Sequence, residues 1–271
     1  MNALRHETHR GWAWFRVFFA VAGLMTWLPR GTHVVETYSS AGIPLLAGHV
    51  KITNWVIWSP TSAWFLYLLL VVSLLLVGVG WLRRVGLVSF VVASCALMFA
   101  EGLNMKAYDR LLFWQAVMLF LSPGAGSGRH AGSPGARYAL LIAYCGLYGS
   151  TGWNKILGEP RWWTGLPLQY DFVHRNFGGL PLGVWLSDKA YLVMPMSWAT
   201  LIWEGGFPLF IWFRRLVPAV LAVGALFHLF ILLTLDANTF SYVAVAAYPV
   251  LLSPPQFERL ESWCWSKIKR T

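Results

Sequence analysis

The run "SAWFLYLLLVVSLLLVGVGWL", from Ser62 to Leu82, contains no charged residue. A helix needs roughly 20 apolar residues to cross the hydrocarbon core of a bilayer, and this run is long enough. The whole chain has the same character, because 57% of its residues are hydrophobic and 12% are charged, against roughly 45–50% and 25% in a soluble domain. These features predict an all-α, polytopic transmembrane protein whose surroundings are the lipid bilayer.

The apolar segments divide the chain into about eight stretches, which predict a transmembrane helix bundle. They cover roughly 14–29, 62–82, 85–103, 109–122, 137–154, 190–213, 216–236 and 239–252. The fourth and eighth are short, so each is open to being tilted, re-entrant or buried within the bundle. The first has no small-residue cleavage site after it and is interpreted as a retained helix.

The domain prediction follows from these segments. It has a cytoplasmic N-terminus over 1–13, one transmembrane domain over 14–254 and a basic cytoplasmic tail over 255–271.

The net charge of +10 is explained better by membrane topology than by nucleic-acid binding. With the N-terminus inside and eight crossings, 13 of the 21 Lys and Arg residues fall on the inner side. That bias agrees with the positive-inside rule and predicts that both termini are cytoplasmic. The connection over 155–189 is then on the outer face.

The cysteines and histidines do not indicate a metal centre or a disulfide framework. Cys95 and Cys145 lie inside apolar segments, Cys264 lies in the tail, and none is part of a CxxC motif. The chain has no HExxH motif and no cluster of His, Cys and carboxylates at ligand spacing. We therefore expect no bound metal.

Ionisable residues inside membrane segments are costly and mark either function or a specific pairing. The chain has few of them, namely Glu101, Asp109, Lys155, Glu204, His228 and Asp236. Glu101, Asn104 and Asp109 surround the turn "FAEGLNMKAYDR", where helix capping is the default interpretation. Asp236 and Asn238 belong to "DANTF", an Asp/Asn turn that is ordinary between two apolar segments.

Lys155 ends the fifth apolar segment and has two interpretations. It is either an interfacial lysine that reaches the aqueous phase beside an aromatic belt of Trp153, Trp162 and Trp163, or a partly desolvated amine. In the second interpretation, burial disfavours the charged ammonium, so that the free amine acts as a base.

His228 and Glu204 are open to similar alternatives. His228 is flanked by apolar residues and is either a packed, hydrogen-bonded histidine or a proton donor or acceptor in the same cavity as Lys155. Glu204 precedes Gly205, Gly206 and Pro208, which permit a kink. Its carboxylate needs a partner, for which Lys155, His228 and an arginine are the candidates.

Three stretches together resemble the HTTM family, the membrane domain shared with vitamin K-dependent gamma-carboxylases. They are "FRVFFAVAGL" with Arg16, "YGSTGWNKILGEPRWWTG" with Lys155, and "FHLFILLTLDANTFSYVAVAAYP" with His228. The resemblance covers the chain from Arg16 to about Pro254. It extends to compact bacterial members of the sporulation-delaying protein B type, which are linked to the maturation of exported toxic peptides.

The resemblance implies an HTTM-like fold in a bacterial cytoplasmic membrane and an enzyme that uses a quinol. The matching lysine in the carboxylases is regarded as the base that deprotonates vitamin K hydroquinone. Carried over, it makes Lys155 the base and His228 a supporting polar residue in the pocket. Glu204 is predicted from its own sequence context to line the same outward-facing pocket. Trp163, Gly165 and Asn238 are expected to bind the quinol-like cofactor, and the substrate is a small molecule or a peptide.

Two departures from the family argue against glutamate carboxylation. The sequence has no counterpart of the large luminal domain that binds the carboxylases' protein substrates. The family's second histidine, near the start of the fourth helix, is also missing, and Asn104, Tyr108 and Asp109 occupy that region. The alternative is a non-catalytic membrane scaffold, or a partner in peptide export or immunity, whose polar residues only hold helices together.

Overall fold

The computed structural model describes residues 10–42, 58–100, 106–122, 133–176 and 178–268. Within these ranges the chain is helical and has no strand, apart from one isolated bridge between Ser39 and Trp58. The chain divides into two compact units, 1–137 and 138–271. Glu101, Asn104 and the side chain of Asn238 lie outside what is described.

Each of the eight predicted apolar segments corresponds to helix. The first unit contains α1 (Gly11–Trp27), a 3-10 turn (Leu28–His33), α2 (Val34–Tyr38), α3 (Pro60–Val79), α4 (Arg83–Ala100) and α5 (Ala107–Leu121). The second contains most of α6 (Pro134–Trp153), then α7 (Leu166–Val173), α8 (Pro181–Ser187), α9 (Ala190–Phe210), α10 (Val217–Thr234), α11 (Asn238–Ala246), α12 (Tyr248–Leu251) and α13 (Pro254–Ile268). The eighth segment is thus broken into α11 and α12.

Among the residues that the structure describes, four stretches of helix are long and apolar enough to cross a membrane. They are Gly11–Tyr38, Pro60–Val79, Arg83–Ala100 and Val217–Thr234. The prediction of a membrane protein is confirmed at this level. The count of eight crossings, the orientation of the termini and a single domain over 14–254 stay predictions.

Both ends of α3 in the first unit are capped by side chains, one local and one from a neighbouring helix. Ser59 caps the start of α3 by accepting a hydrogen bond from the backbone of Ser62. At the other end of α3, the guanidinium of Arg16 donates to the carbonyls of Val77 at 2.8 Å and Gly78 at 2.9 Å. Carbonyls in the last turn have no partner within the helix. The Val77 carbonyl also accepts from the backbone nitrogen of Gly80 at 3.1 Å, so Arg16 of α1 adds a second donor to it and one to Gly78.

A second arginine does the same for α5. Arg83, at the start of α4, is buried and donates to the carbonyl of Ser122 at 2.9 Å. A cation at a helix C-terminus also interacts favourably with the helix dipole. The basic pair Arg83–Arg84, which the sequence places at a membrane boundary, thus has one member with a structural role.

The first unit contains an ion pair, between Arg30 and Asp109, that the sequence did not predict. Arg30 donates to both carboxylate oxygens of Asp109, at 2.9 and 3.1 Å. Its guanidinium lies over the rings of Trp27 and Tyr108. Asp109 also accepts from the backbone nitrogen of Lys106 and so caps α5, as predicted. The connection after α1 is thereby attached to the start of α5.

We expect Arg30→Lys to lower the free energy of unfolding by about 1–2 kcal/mol. Lysine keeps the charge, but it cannot form the two parallel hydrogen bonds of a guanidinium group or stack flat on the aromatic rings. Arg161→Lys is the matched control, since the Arg161 side chain is 74% exposed in its pair with Glu159. That change is expected to have little effect, as is usual for exposed pairs. Denaturant titration in one detergent compares the two, and equal losses would contradict the assignment.

In the second unit, α6 and α9 approach each other through small residues. A Cβ at Gly152 would collide with the backbone nitrogen of Gly205, and a Cβ at Gly149 would lie 2.9 Å from the ring of Pro208. Such contacts between small residues let helix backbones come close in a membrane. Because 152 faces 205 and 149 faces 208, the two helices run antiparallel. The end of α6 therefore lies beside Glu204.

The segment between α6 and α9 packs on α9 through an apolar cluster. Its members are Trp162, Leu168, Phe172, Leu186, Val193 and Leu201. The hydroxyl of Ser197 adds a hydrogen bond to the carbonyl of Trp162 at 2.5 Å. These contacts fix the residues that follow Lys155 against the helix that carries Glu204.

Candidate active site at the end of the sixth helix

Lys155 lies in a π-helical turn, Asn154–Gly158, that directly continues α6. Such turns are rare and are often found at functional sites. A 3-10 turn over Pro160–Thr164 follows, so the backbone changes its helical pitch twice within eleven residues. The change turns the chain after Lys155 back towards α9.

The ammonium of Lys155 forms an ion pair with Glu204. Nζ lies 2.6 Å from a carboxylate oxygen, with the Lys155 side chain 22% exposed and the Glu204 side chain 8% exposed. Nζ also lies 4.6 Å from the centroid of the Trp162 ring. Of the partners that the sequence left open for Glu204, the structure selects Lys155. Lys155 therefore points inward and keeps a partly open side.

A second and a third carboxyl group lie around this lysine. Burial raises the pKa of Asp171, on α7, and the nearby positive charge of Lys155 opposes that rise. Glu159 accepts hydrogen bonds from the indole of Trp162 at 3.2 Å and from Arg161 at 3.1 Å. Glu159 thus holds the ring that Lys155 contacts, and Asp171 places a further carboxyl group near the ammonium.

Trp163 and Gly165, two of the predicted cofactor residues, have different surroundings. The Trp163 indole is 46% exposed and donates to the carbonyl of Ile156 at 3.4 Å. Gly165 has a φ of +80°, and a Cβ there would lie 3.0 Å from the Cα of Met194. Gly165 therefore forms a turn in the loop, and the backbone of this turn lies in close contact with α9. The contact with Lys155 is made by Trp162, which the sequence did not select for the site.

His228 lies in a separate buried polar network of the second unit. Its Nε2 is 2.7 Å from the hydroxyl of Tyr148, and its Nδ1 is 3.4 Å from the hydroxyl of Ser241. With the proton on Nδ1, His228 donates to Ser241 and accepts from Tyr148. The Tyr248 hydroxyl lies 3.3 Å from that of Tyr148. The histidine is 1% exposed, so this network is closed to solvent.

Tyr148, which the sequence analysis did not select, connects the Lys155–Glu204 pair with the His228 network. It precedes Lys155 by seven residues, about two turns or ~10 Å along α6. Its ring packs on Trp203, at a centroid distance of 4.5 Å, and Trp203 directly precedes Glu204. Lys155 thus contacts Glu204 on α9, and His228 contacts Tyr148 on α6 and the ring of Trp203 on α9.

The remaining candidates do not join this site. Asp109 belongs to the first unit and is paired there with Arg30. Asp236 lies between α10 and α11 and is exposed. Among the described residues no group of three or more His, Cys, Asp and Glu side chains is placed to hold a metal ion. The expectation that the protein binds no metal stays a prediction.

In comparisons with known proteins, no family model matches the chain, and no curated protein or solved structure matches it. The resemblance to the HTTM family therefore rests on the sequence motifs themselves.

Proposed function

We propose that this protein is an HTTM-type enzyme of a bacterial cytoplasmic membrane, in which Lys155 removes a proton from a lipid-soluble acid such as a quinol. The observation that carries the proposal is the pairing of a partly exposed lysine with the buried carboxylate of Glu204 at 2.6 Å. About eight membrane segments with both termini cytoplasmic are part of the proposal. The site would then face the outer side.

The ion pair gives Lys155 a way to act as a base. Charges removed from water are costly, so proton transfer from Lys155 to Glu204, which leaves an amine and a carboxylic acid, competes with the charged pair. The neutral amine then accepts the proton of a substrate hydroxyl and becomes an ammonium, while the substrate oxygen becomes an anion. The pair gains one positive charge as the substrate gains one negative charge, so the two products attract each other.

The surroundings of Lys155 fit a flat, apolar substrate. Trp162 offers an aromatic face beside the amine, and Ile156 packs on the same apolar cluster. A quinol needs such a surface plus one group that takes its proton. Trp163, Gly165 and Asn238 remain the proposed cofactor-binding residues, and the coupled substrate is a small molecule or a peptide.

The scaffold alternative also has an observation in its favour. Both charges of the Lys155–Glu204 pair are already satisfied, and the pair joins the end of α6 to α9. A polar contact of that kind stabilises helix association without any chemistry. Stability and catalysis must therefore be measured separately.

The direct test is oxygen uptake by the purified protein supplied with a reduced menaquinone or vitamin K analogue. Two-electron oxidation of the quinol by dioxygen yields the quinone and hydrogen peroxide, so uptake and peroxide are measured together. We expect Lys155→Ala to reduce the rate by about 100-fold or more, the usual contribution of a general base.

Lys189→Ala is the matched control. Lys189 also pairs with a neighbouring carboxylate, Asp188 at 2.8 Å, and lies over a tryptophan ring, but Asp188 is 73% exposed. This variant is expected to keep the wild-type rate. An active Lys155→Ala variant would remove Lys155 from the role of base, and loss of activity in both variants would point to general damage.

A further inference from the structure

The C-terminal helix α13 has an apolar face that no part of the described chain covers. Phe257, Leu260 and Cys264 are spaced three and four residues apart, so they lie on one face of a helix. Trp263 borders that face and is 59% exposed, and Leu260 on the face is 48% exposed, whereas Trp265, 51% exposed, lies towards the other side of the helix. Only Phe257, at the start, is buried. Most of this surface therefore lacks a partner.

The opposite face of α13 is polar, so the helix is amphipathic. Glu258, Ser262 and Ser266 recur every fourth residue and lie together on that side. With fifteen residues the helix is only about 22 Å long, which is too short to cross a hydrocarbon core of about 30 Å. An amphipathic helix of this length that is rich in tryptophan is suited to lying in the plane of the interface.

The first turn of α13 is attached to the turn between α9 and α10. The side chain of Gln256 accepts hydrogen bonds from Ser253 and donates to the carbonyl of Arg214 at 2.7 Å. Three residues after Arg214, α10 begins, and α10 is long and apolar enough to span a membrane. The start of α13 therefore lies at the level where that span ends, which is the level of the lipid headgroups.

The turn between α9 and α10 has the same mixture of aromatic and basic residues. Trp212 and Phe213 are 51% and 60% exposed, and they are followed by the exposed Arg214 and Arg215. Exposed aromatic side chains beside cations are typical of a membrane–water interface. Two separate segments at this end of the second unit thus present the same chemistry.

The positive charge of this region favours anionic lipids. Among the described residues of this region, basic residues outnumber acidic ones, with Arg214, Arg215, Arg259 and Lys267 against Glu258 and Glu261, and the sequence continues with Lys269 and Arg270. An excess of cations next to an interfacial helix is attracted to anionic headgroups. A water-soluble partner would not explain why the exposed aromatic side chains lie where a spanning helix ends.

We infer that α13, together with the Trp212–Arg215 turn, is a lipid-binding surface that lies in the headgroup region of the bilayer and prefers anionic phospholipids. This inference does not depend on quinol chemistry. It also revises the interpretation of 255–271 as merely a basic tail.

The test uses a spin label on Cys264, with the full chain in nanodiscs of phosphatidylcholine and phosphatidylglycerol. Cys95→Ala and Cys145→Ala remove the other two cysteines, and brief labelling of the unchanged chain is a second preparation, because Cys264 is exposed and the others are half-buried. We expect the label at 264 to lie about 5–10 Å below the headgroups. Oxygen would then reach it better than a water-soluble nickel chelate.

The matched control moves the label to the polar face with Cys264→Ser and Ser262→Cys. That label is expected to show the opposite preference, with the nickel chelate more effective than oxygen. Equal exposure of both positions to the chelate would overturn the proposal. A label at 264 that is shielded from both reagents and is coupled to the label of a second copy would overturn it in favour of a dimer contact.

The lipid preference is tested by leaving out phosphatidylglycerol. In phosphatidylcholine alone, the label at 264 is expected to become shallower and more accessible to the chelate. An unchanged depth would overturn the preference for anionic headgroups.

Discussion

Lys155→Met is expected to lower the free energy of unfolding by about 3–5 kcal/mol, because it leaves a buried carboxylate without a counter-ion. The Glu204 side chain is 8% exposed, so water does not replace the lost ammonium. Glu204→Leu is expected to cost less, since the Lys155 side chain is 22% exposed and its flexible stem lets the ammonium reach solvent. Removing the lysine is therefore expected to lower the stability more than removing the glutamate.

The double variant Lys155→Met/Glu204→Leu is expected to recover most of this loss, because two apolar side chains of similar size replace two charges together. Denaturant titration of all four proteins in one detergent measures the coupling. A double variant as unstable as the sum of the single variants would show that the two side chains do not interact.

The double variant also separates catalysis from stability. If the protein is an enzyme, the double variant should be stable but unable to oxidise a quinol, because the base has been removed. As a scaffold, it should keep whatever partner interaction the wild type has. A stable and fully active double variant would exclude Lys155 and Glu204 from the chemistry.

Gly152→Ala is expected to lower the free energy of unfolding by about 1–3 kcal/mol, as overpacking usually does. The new Cβ would collide with the backbone nitrogen of Gly205 and lie 2.7 Å from the carbonyl carbon of Glu204. Backbone atoms cannot rotate away, so α6 and α9 must separate. Because that separation displaces Glu204 from Lys155, quinol oxidation is expected to fall as well.

Gly146→Ala is the control, in the same helix. No atom lies within 4 Å of a Cβ built at Gly146. Alanine is favoured over glycine in a helix by about 0.5–1 kcal/mol, so this variant should be as stable as the wild type or more so. The same substitution is thus expected to have opposite signs at two positions, measured by the same denaturant titration. A loss at both would mean that α6 tolerates no alanine for reasons unrelated to α9.

Helices were predictable from the sequence because their signal is local. Long apolar runs such as Ser62–Leu82 correspond to helices within a few residues, and Ser59, Pro60 and Gly80 mark the two ends of α3. The prediction from hydropathy missed the break of the eighth segment at Ala247, although Pro249, two residues later, is a helix-breaking signal. Apolar residues continue on both sides of that position, so hydropathy contains no sign of the break.

The candidate site was predictable in part. Lys155, Glu204 and His228 were selected because ionisable groups in apolar segments need partners. Trp162, Tyr148 and Asp171 were missed, because aromatic residues are common in membrane segments and Asp171 lies in a connection, where a solvated role is the default. A clue for Tyr148 was available, since it lies on the same helical face as Lys155.

By itself, the sequence determined that the chain is helical and suited to a membrane, and which few charged residues must find partners there. Only the tertiary structure decided what those partners are. Lys155 and Glu204 are 49 residues apart, and they meet because glycines at 152 and 205 let two helix backbones approach. The apolar residues around a charged side chain determine how much free energy it costs to leave that charge unpaired. Which partner it finds depends on distances between helices, and these arise only when the helices pack.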